Sequence, residues 1–135
     1  MVERTLAIIK PDAVQAKHSG MIINLIELNK FSIVRMEKIN LSKERAEKFY
    51  EVHKERSFFQ ELVSYMTSGS VIVMALEKEN AVKDWRDLVG ATDPLKAAPG
   101  TIRKMFGTSI GNNATHGSDS IENAKVELKF FFPNL

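Results

Sequence analysis

Val71-Ile72-Val73-Met74-Ala75-Leu76 is the longest apolar run in the chain, and its first three residues are β-branched. It reads as a strand central in a sheet. Upstream, Thr5 to Ile9 is a second short apolar run, stopped by Pro11, and reads as a buried strand. Phe31 to Leu41 predicts another strand, with imperfect alternation. Helical spacing fills the intervals. Ser19-Gly20 opens a helix carrying Ile22, Leu25 and Ile26 and ending near Asn29. Ser42 is a good N-cap for a helix with Ala46, Phe49, Tyr50 and His53 on one face, and Phe59, Leu62, Val63 and Met66 repeat that spacing. Ala81, Val82, Trp85, Leu88 and Val89 mark another helix, closed by Gly90. Strands interleaved with helices imply an α/β sandwich, one sheet covered by helices.

After Gly90 the pattern disappears. From Ala91 to about Asn113 no period is sustained, and Pro94, Pro99, Gly100, Gly107 and Gly111 punctuate the segment. Long irregular loops in compact domains are uncommon and often functional. Asp93 is the only acid of this loop, against Lys96, Arg103 and Lys104. A last helix is expected from near Asp119, with Glu122 completing a capping box and Ile121, Ala124, Leu128 and Phe131 buried.

Composition narrows the function. The chain has 135 residues, 44% hydrophobic and 27% charged, which fits one globular domain over residues 1–135 and excludes disorder or a fibre. The formal charge of +2 is too mild for non-specific nucleic-acid binding, and no specific nucleic-acid partner is expected. Absence of cysteine removes disulfides, thiolate catalysis, zinc fingers and iron–sulfur clusters. Neither a membrane span nor a signal-peptide core is present, so a soluble cytoplasmic protein is expected.

Of the three histidines, His53 falls on an apolar helix face and His18 beside Lys17 at a turn, where it reads as solvated. Neither shares metal-ligand spacing with a partner. His116 differs, because it lies in Asn113-Ala114-Thr115-His116-Gly117-Ser118-Asp119-Ser120, just before a capped helix. On spacing alone it could still be an ordinary turn residue. A Ser-His-Asp hydrolase is disfavoured: there is no G-x-S-x-G elbow, and three triad members within four residues cannot easily converge. Walker, Rossmann and protein-kinase signatures are missing too, so phosphate chemistry must rely on side chains. Arg86 lies off the centre of its helix's apolar face, Thr92 and Arg103 sit in the irregular loop, and Lys10 ends a strand before Pro11. Phe58 falls beside the 59/62/63/66 stripe and could be a partly exposed ring.

Taken together, these blocks resemble the nucleoside diphosphate kinase family over almost the whole chain. Glu3 to Val14, with Lys10-Pro11-Asp12, resembles its opening strand and lysine. Phe58-Phe59 with Leu62 and Met66 to Gly69 resembles its next block. Arg86, Gly90 to Pro94 and Pro99 to Arg103 resemble its phosphate-binding helix and long loop. Asn113-x-x-His116-Gly117-Ser118-Asp119-Ser120 resembles its active-site signature. The resemblance implies a ferredoxin-like βαββαβ antiparallel sheet with extra helices and a long loop near residues 91–113. It implies ping-pong transfer of the γ-phosphate of a nucleoside triphosphate, typically ATP, to a nucleoside diphosphate, maintaining nucleotide pools. His116 would be the phosphohistidine nucleophile through Nδ1. Lys10 and Asn113 would meet the ribose hydroxyls, and Phe58, with Leu62, the base. Arg86, Thr92 and Arg103 would hold phosphates, Tyr50 would line the site, and Ser118 and Glu127 would orient the imidazole. Mg²⁺ is expected with the nucleotide phosphates, with no metal ligand from the protein. Assembly as a tetramer or hexamer built from dimers is likewise implied.

The chemistry suits these residue types. Imidazole is substantially neutral near pH 7 and so nucleophilic without a strong base. Phosphoryl transfer asks mainly for in-line positioning and cationic stabilisation, which guanidinium groups supply with direction. An RNA-binding ferredoxin-like domain is disfavoured, because the aromatic strand signature of that class is missing. Relative to the family, Ser57 and Ser70 replace common prolines, Lys78 a glycine, and Lys104-Met105 a small residue and an acid. These changes are expected to loosen turns and alter local loop and subunit contacts. The chain closes at Leu135, so contacts made by a longer C-terminal tail in many relatives are expected to be missing.

Overall fold

Residues 1–135 are described by a computed structural model. Strand β3 (Val71–Glu79) lies between β1 (Val2–Ile9) and β2 (Ser32–Ile39), and the short β4 (Thr115–Gly117) closes the other side of β1. The order β2-β3-β1-β4, antiparallel at every step, is the ferredoxin-like arrangement. Seven helices complete the chain: α1 (Pro11–Gln15), α2 (Ser19–Leu28), α3 (Lys43–Phe49), α4 (Phe59–Met66), α5 (Ala81–Val89), α6 (Ile102–Phe106) and α7 (Ile121–Phe131).

Both faces of the sheet are covered. Leu6, Ile8, Val71, Val73 and Ala75 point to one face, where they pack on Ala46, Val63, Met66, Leu128 and Phe131 from α3, α4 and α7. Ala7, Ile9, Ile72, Met74 and Leu76 point to the other, against Ile22, Ile26, Trp85, Val89 and Ile102 from α2, α5 and α6. Successive strand side chains alternate between faces, so a strand apolar at every position needs a core on each side. This is why 71–76 shows no alternation. Edge strand β2 is mostly exposed, and a bulge between Ile33 and Arg35 explains its irregular pattern.

The structure alters several sequence-derived boundaries. β1 starts at Val2 rather than Thr5, and β3 runs on through Glu77-Lys78-Glu79, because ladder pairing is made by backbone and tolerates charged side chains at the sheet end. Arg4, opposite Glu77, forms an ion pair with it at 2.8 Å. Lys78 bonds Asp84 of α5 at 2.5 Å, and so ties β3 to that helix. α3 ends at Phe49 and a 3₁₀ turn follows, so His53 leaves the helical face, half-buried against the Phe58 ring. His18 is not solvated: its ring packs on Phe106 with centroids 4.8 Å apart. The segment 91–113, expected to be irregular, contains α6, capped by Thr101. The last helix starts at Ile121, with the Ser120 hydroxyl accepting from the Asn123 amide at 3.0 Å. Ser120 therefore takes the capping role expected of Asp119 and Glu122, and Ile121 lies exposed at the first turn.

Trp85, fully buried on α5, locks β4 onto this frame. Its Nε1 donates to the His116 carbonyl at 3.1 Å, and its ring lies against Gly117. A Cβ at 117 would come within 2.8 Å of Trp85 Cδ1. Gly117→Ala should therefore destabilise the protein by about 1–3 kcal/mol, as overpacking of a rigid core does. Thermal unfolding checks this, and a midpoint within about one degree of the native value would show that Trp85 yields freely.

Candidate active site

His116 sits in the middle of β4, opposite Ile8. Its Nε2 lies 3.0 Å from Glu127 Oε1 on α7, and the same oxygen accepts from the Ser118 hydroxyl at 2.7 Å. Ser118 is itself anchored, accepting from the Leu6 amide at 3.3 Å. A carboxylate only accepts, so Nε2 carries the ring proton and Nδ1 keeps its lone pair. The imidazole is about one-fifth exposed, with the edge of Phe49 beside it at 5.7 Å between centroids. Tyr50, at the end of α3, is buried, and its hydroxyl has no hydrogen-bond partner. Burial, and then the nearby Glu127 charge, push its ionisation well above the ordinary phenol range. Tyr50 is thus a protonated, unspent donor.

A second cluster forms where β1 ends. Lys10 is buried and donates from Nζ to Asn113 Oδ1 at 2.8 Å. Asn113 in turn donates to the Thr92 carbonyl at 3.2 Å, joining strand end, loop and the approach to β4. Burial, and then the Arg103 charge, bring the Lys10 ammonium down to about 8, while Asp12 opposes that fall. Arg103 donates to the carbonyls of Gly90 at 3.2 Å and Thr115 at 2.9 Å, and its buried Nε is unpartnered. Its guanidinium is held in place with donor capacity left over. Its proton affinity is lowered by burial first and by Arg86 second. Exposed Arg86 donates to the Asp119 carbonyl at 3.1 Å.

Arg86, Thr92 and Arg103 line one cleft of about 970 Å³, together with Lys96, Asp119 and Gly117, the neighbour of His116. The charged lining is mixed, Lys83, Arg86, Lys96 and Arg103 against Glu3, Asp87 and Asp119, and its two guanidinium groups are the donors suited to phosphate oxygens. No three His, Asp or Glu side chains gather to hold a metal ion. Phe58 and Leu62 lie outside this lining: Phe58 is 44% exposed just ahead of α4, and Leu62 leans on the core. Lys10, Tyr50, Asn113 and His116 itself are also outside that lining.

Two further residues, to which the sequence pattern assigns no role, brace this cluster. Asp12 accepts from the Tyr65 hydroxyl of α4 and, at 3.2 Å, from the Ala114 amide. Nothing in local spacing marks either, since Tyr65 is off its helix's apolar stripe and Asp12 looks like a helix-start acid. Only long-range contact reveals them.

Comparison with known proteins identifies the family of this fold. Residues 3–135 match the sequence profile of the family described as Nucleoside diphosphate kinase. The chain is 62% identical over 131 residues to the nucleoside diphosphate kinase of a Nitratiruptor species, covering 97% of this chain and 96% of that one. It is 55% identical over 131 residues to that of Chlorobium chlorochromatii, covering 97% and 94%. The Aquifex aeolicus nucleoside diphosphate kinase structure superposes with a TM-score of 0.95 at 45% identity, covering 98% of this chain and 96% of that one. The Encephalitozoon cuniculi enzyme gives 0.93 at 37%, covering 96% and 88%. The chain belongs to the nucleoside diphosphate kinase family, phosphotransferases that pass the γ-phosphoryl group of a nucleoside triphosphate to a nucleoside diphosphate through a phosphohistidine.

Proposed function

We propose that Nδ1 of His116 is the nitrogen that carries the phosphoryl group. One arrangement carries this assignment: Nε2 faces Glu127 at 3.0 Å, with Ser118 bonded to the same oxygen, so the opposite nitrogen keeps a lone pair. In the first half-reaction Nδ1 attacks the γ-phosphorus, the N–P bond forms, the bond to the bridging oxygen breaks, and the diphosphate leaves. In the second, a terminal oxygen of the acceptor diphosphate attacks the same phosphorus and the N–P bond breaks. Positioning and charge do most of the work. Arg86, Thr92 and Arg103 hold phosphates, and Tyr50 offers its free hydroxyl near the reacting group. Lys10 and Asn113 meet the ribose hydroxyls. Phe58, with Leu62 behind it, offers an apolar face to the base, and stacking of that kind tolerates any base. Mg²⁺ arrives as part of the nucleotide substrate, held by phosphate oxygens and offsetting their charge. Residues 1–135 act as a single domain in the cytoplasm, within a tetramer or a hexamer that is built from dimers.

A pulse with γ-labelled ATP and Mg²⁺, without acceptor, tests the assignment. Base-stable, acid-labile label should reach about one per chain, move to GTP on a GDP chase, and be absent in His116→Ala. Folded native protein that takes up no label would remove His116 from this role. Purine and pyrimidine diphosphates should turn over at similar rates, and strict preference for one base would contradict stacking as the mode of base recognition.

Lys10 gives a second test, because holding a cation there costs stability. Its value falls from 10.5 to about 8 on folding, so the unfolded chain binds its proton more tightly. Stability therefore rises between pH 8 and 10.5, and the full penalty is present at pH 7. Lys10→Met should bind nucleotide poorly yet be more stable at pH 7 by roughly 1–3 kcal/mol, after the lost bond to Asn113 is counted. That advantage should shrink as pH rises through the window. A less stable variant in pH 7 melts would show that the ammonium is not penalised there.

A further inference from the structure

Ala114 is fully buried and has φ of 75°, the left-handed region that a residue with a Cβ rarely adopts. It stands between Asn113 and β4, so the direction of Asn113 depends on it, whereas His116 is held separately by its pairing with Ile8 and the Trp85 bond to its carbonyl. The residue is gripped at both ends. Its carbonyl accepts from the Lys10 amide at 2.8 Å, and its amide donates to Asp12 Oδ2 at 3.2 Å. The other Asp12 oxygen accepts from the Tyr65 hydroxyl. One carboxylate thus joins α1, α4 and the turn into β4.

We propose that Asp12 is a positioning residue for nucleotide binding. It holds Ala114 in the left-handed conformation, which fixes the Asn113 side chain and, through it, the Lys10 ammonium. Tyr65 anchors the carboxylate to α4, the helix whose first turn follows Phe58, so the groups assigned to ribose and to base share one support. Asp12 touches no reacting atom, and its role rests on the proposed site assignment.

The expected signature is a loss of affinity with phosphoryl transfer preserved. In Asp12→Ala the dissociation constant for ADP with Mg²⁺ should rise about tenfold, as loss of a charged hydrogen-bond acceptor and a loosened turn imply. His116 phosphorylation at saturating ATP should stay within about threefold of native. Asp12→Asn can accept from the Ala114 amide through Oδ1 and donate to the Tyr65 oxygen through Nδ2, so it should recover affinity to within about threefold. Tyr65→Phe should weaken ADP binding about threefold, and it keeps the test open if Asp12→Ala does not fold. Native ADP affinity in both Asp12→Asn and Tyr65→Phe, with Asp12→Ala either native in affinity or unfolded, overturns the proposal. So does an Asp12→Asn variant that folds yet loses affinity and phosphorylation together. Failure of the native protein to label at His116 overturns instead the site assignment beneath it.

Discussion

A three-residue strand has almost no stability of its own, so His116 keeps its place chiefly through its pairing with the fully buried end of β1. Leu6, Ala7, Ile8 and Ile9 are wholly buried, two facing each helical layer, and β4 pairs with the last three of them. Their rigidity passes to the site by short routes. The Leu6 amide fixes Ser118, the strand end presents Lys10, and the Lys10 amide holds the Ala114 carbonyl. Trp85 clamps the far side of β4 through the His116 carbonyl. The imidazole therefore inherits the precision of the core rather than that of the loop preceding it, as a preorganised nucleophile requires.

That precision comes with unfavourable electrostatics. Lys10 and Arg103 both lose proton affinity to burial, and each is further depressed by a neighbouring cation, Arg103 and Arg86 respectively. Tyr50 and Arg103 leave buried polar atoms unpartnered. On the proposed assignment, a substrate carrying several negative charges would offset the repulsion between these cations.

Legibility in the sequence followed element length. The helix over 81–89 and the strand over 71–76 are long enough to display their period, and both stand where expected. α1, α6 and β4, at five, five and three residues, are too short to complete a repeat, and their backbone is set by tertiary pairing instead. The site divides the same way. His116 and its neighbours were legible through a dense motif resembling a known family, whereas spacing alone left His116 an ordinary turn residue. Asp12 and Tyr65 stand 53 positions apart and belong to no periodic pattern, so only the fold brings them together. The cover over His18 is hidden for the same reason, since Phe106 lies in a helix too short to show a period.

The Glu127 contact also bears on how one histidine serves two opposite half-reactions. Phosphorylation of Nδ1 while Nε2 keeps its proton leaves a ring with cationic character, and the carboxylate 3.0 Å away stabilises that charge. This is the role a buried carboxylate plays beside any catalytic imidazolium. Too strong a partner would draw the proton from Nε2, make the phosphorylated ring neutral and turn it into a poor leaving group. Ser118 donates to the same oxygen at 2.7 Å, which fixes the direction of the carboxylate toward the ring. On the proposed assignment, Nε2 keeps its proton toward Glu127 both when Nδ1 attacks and when it departs.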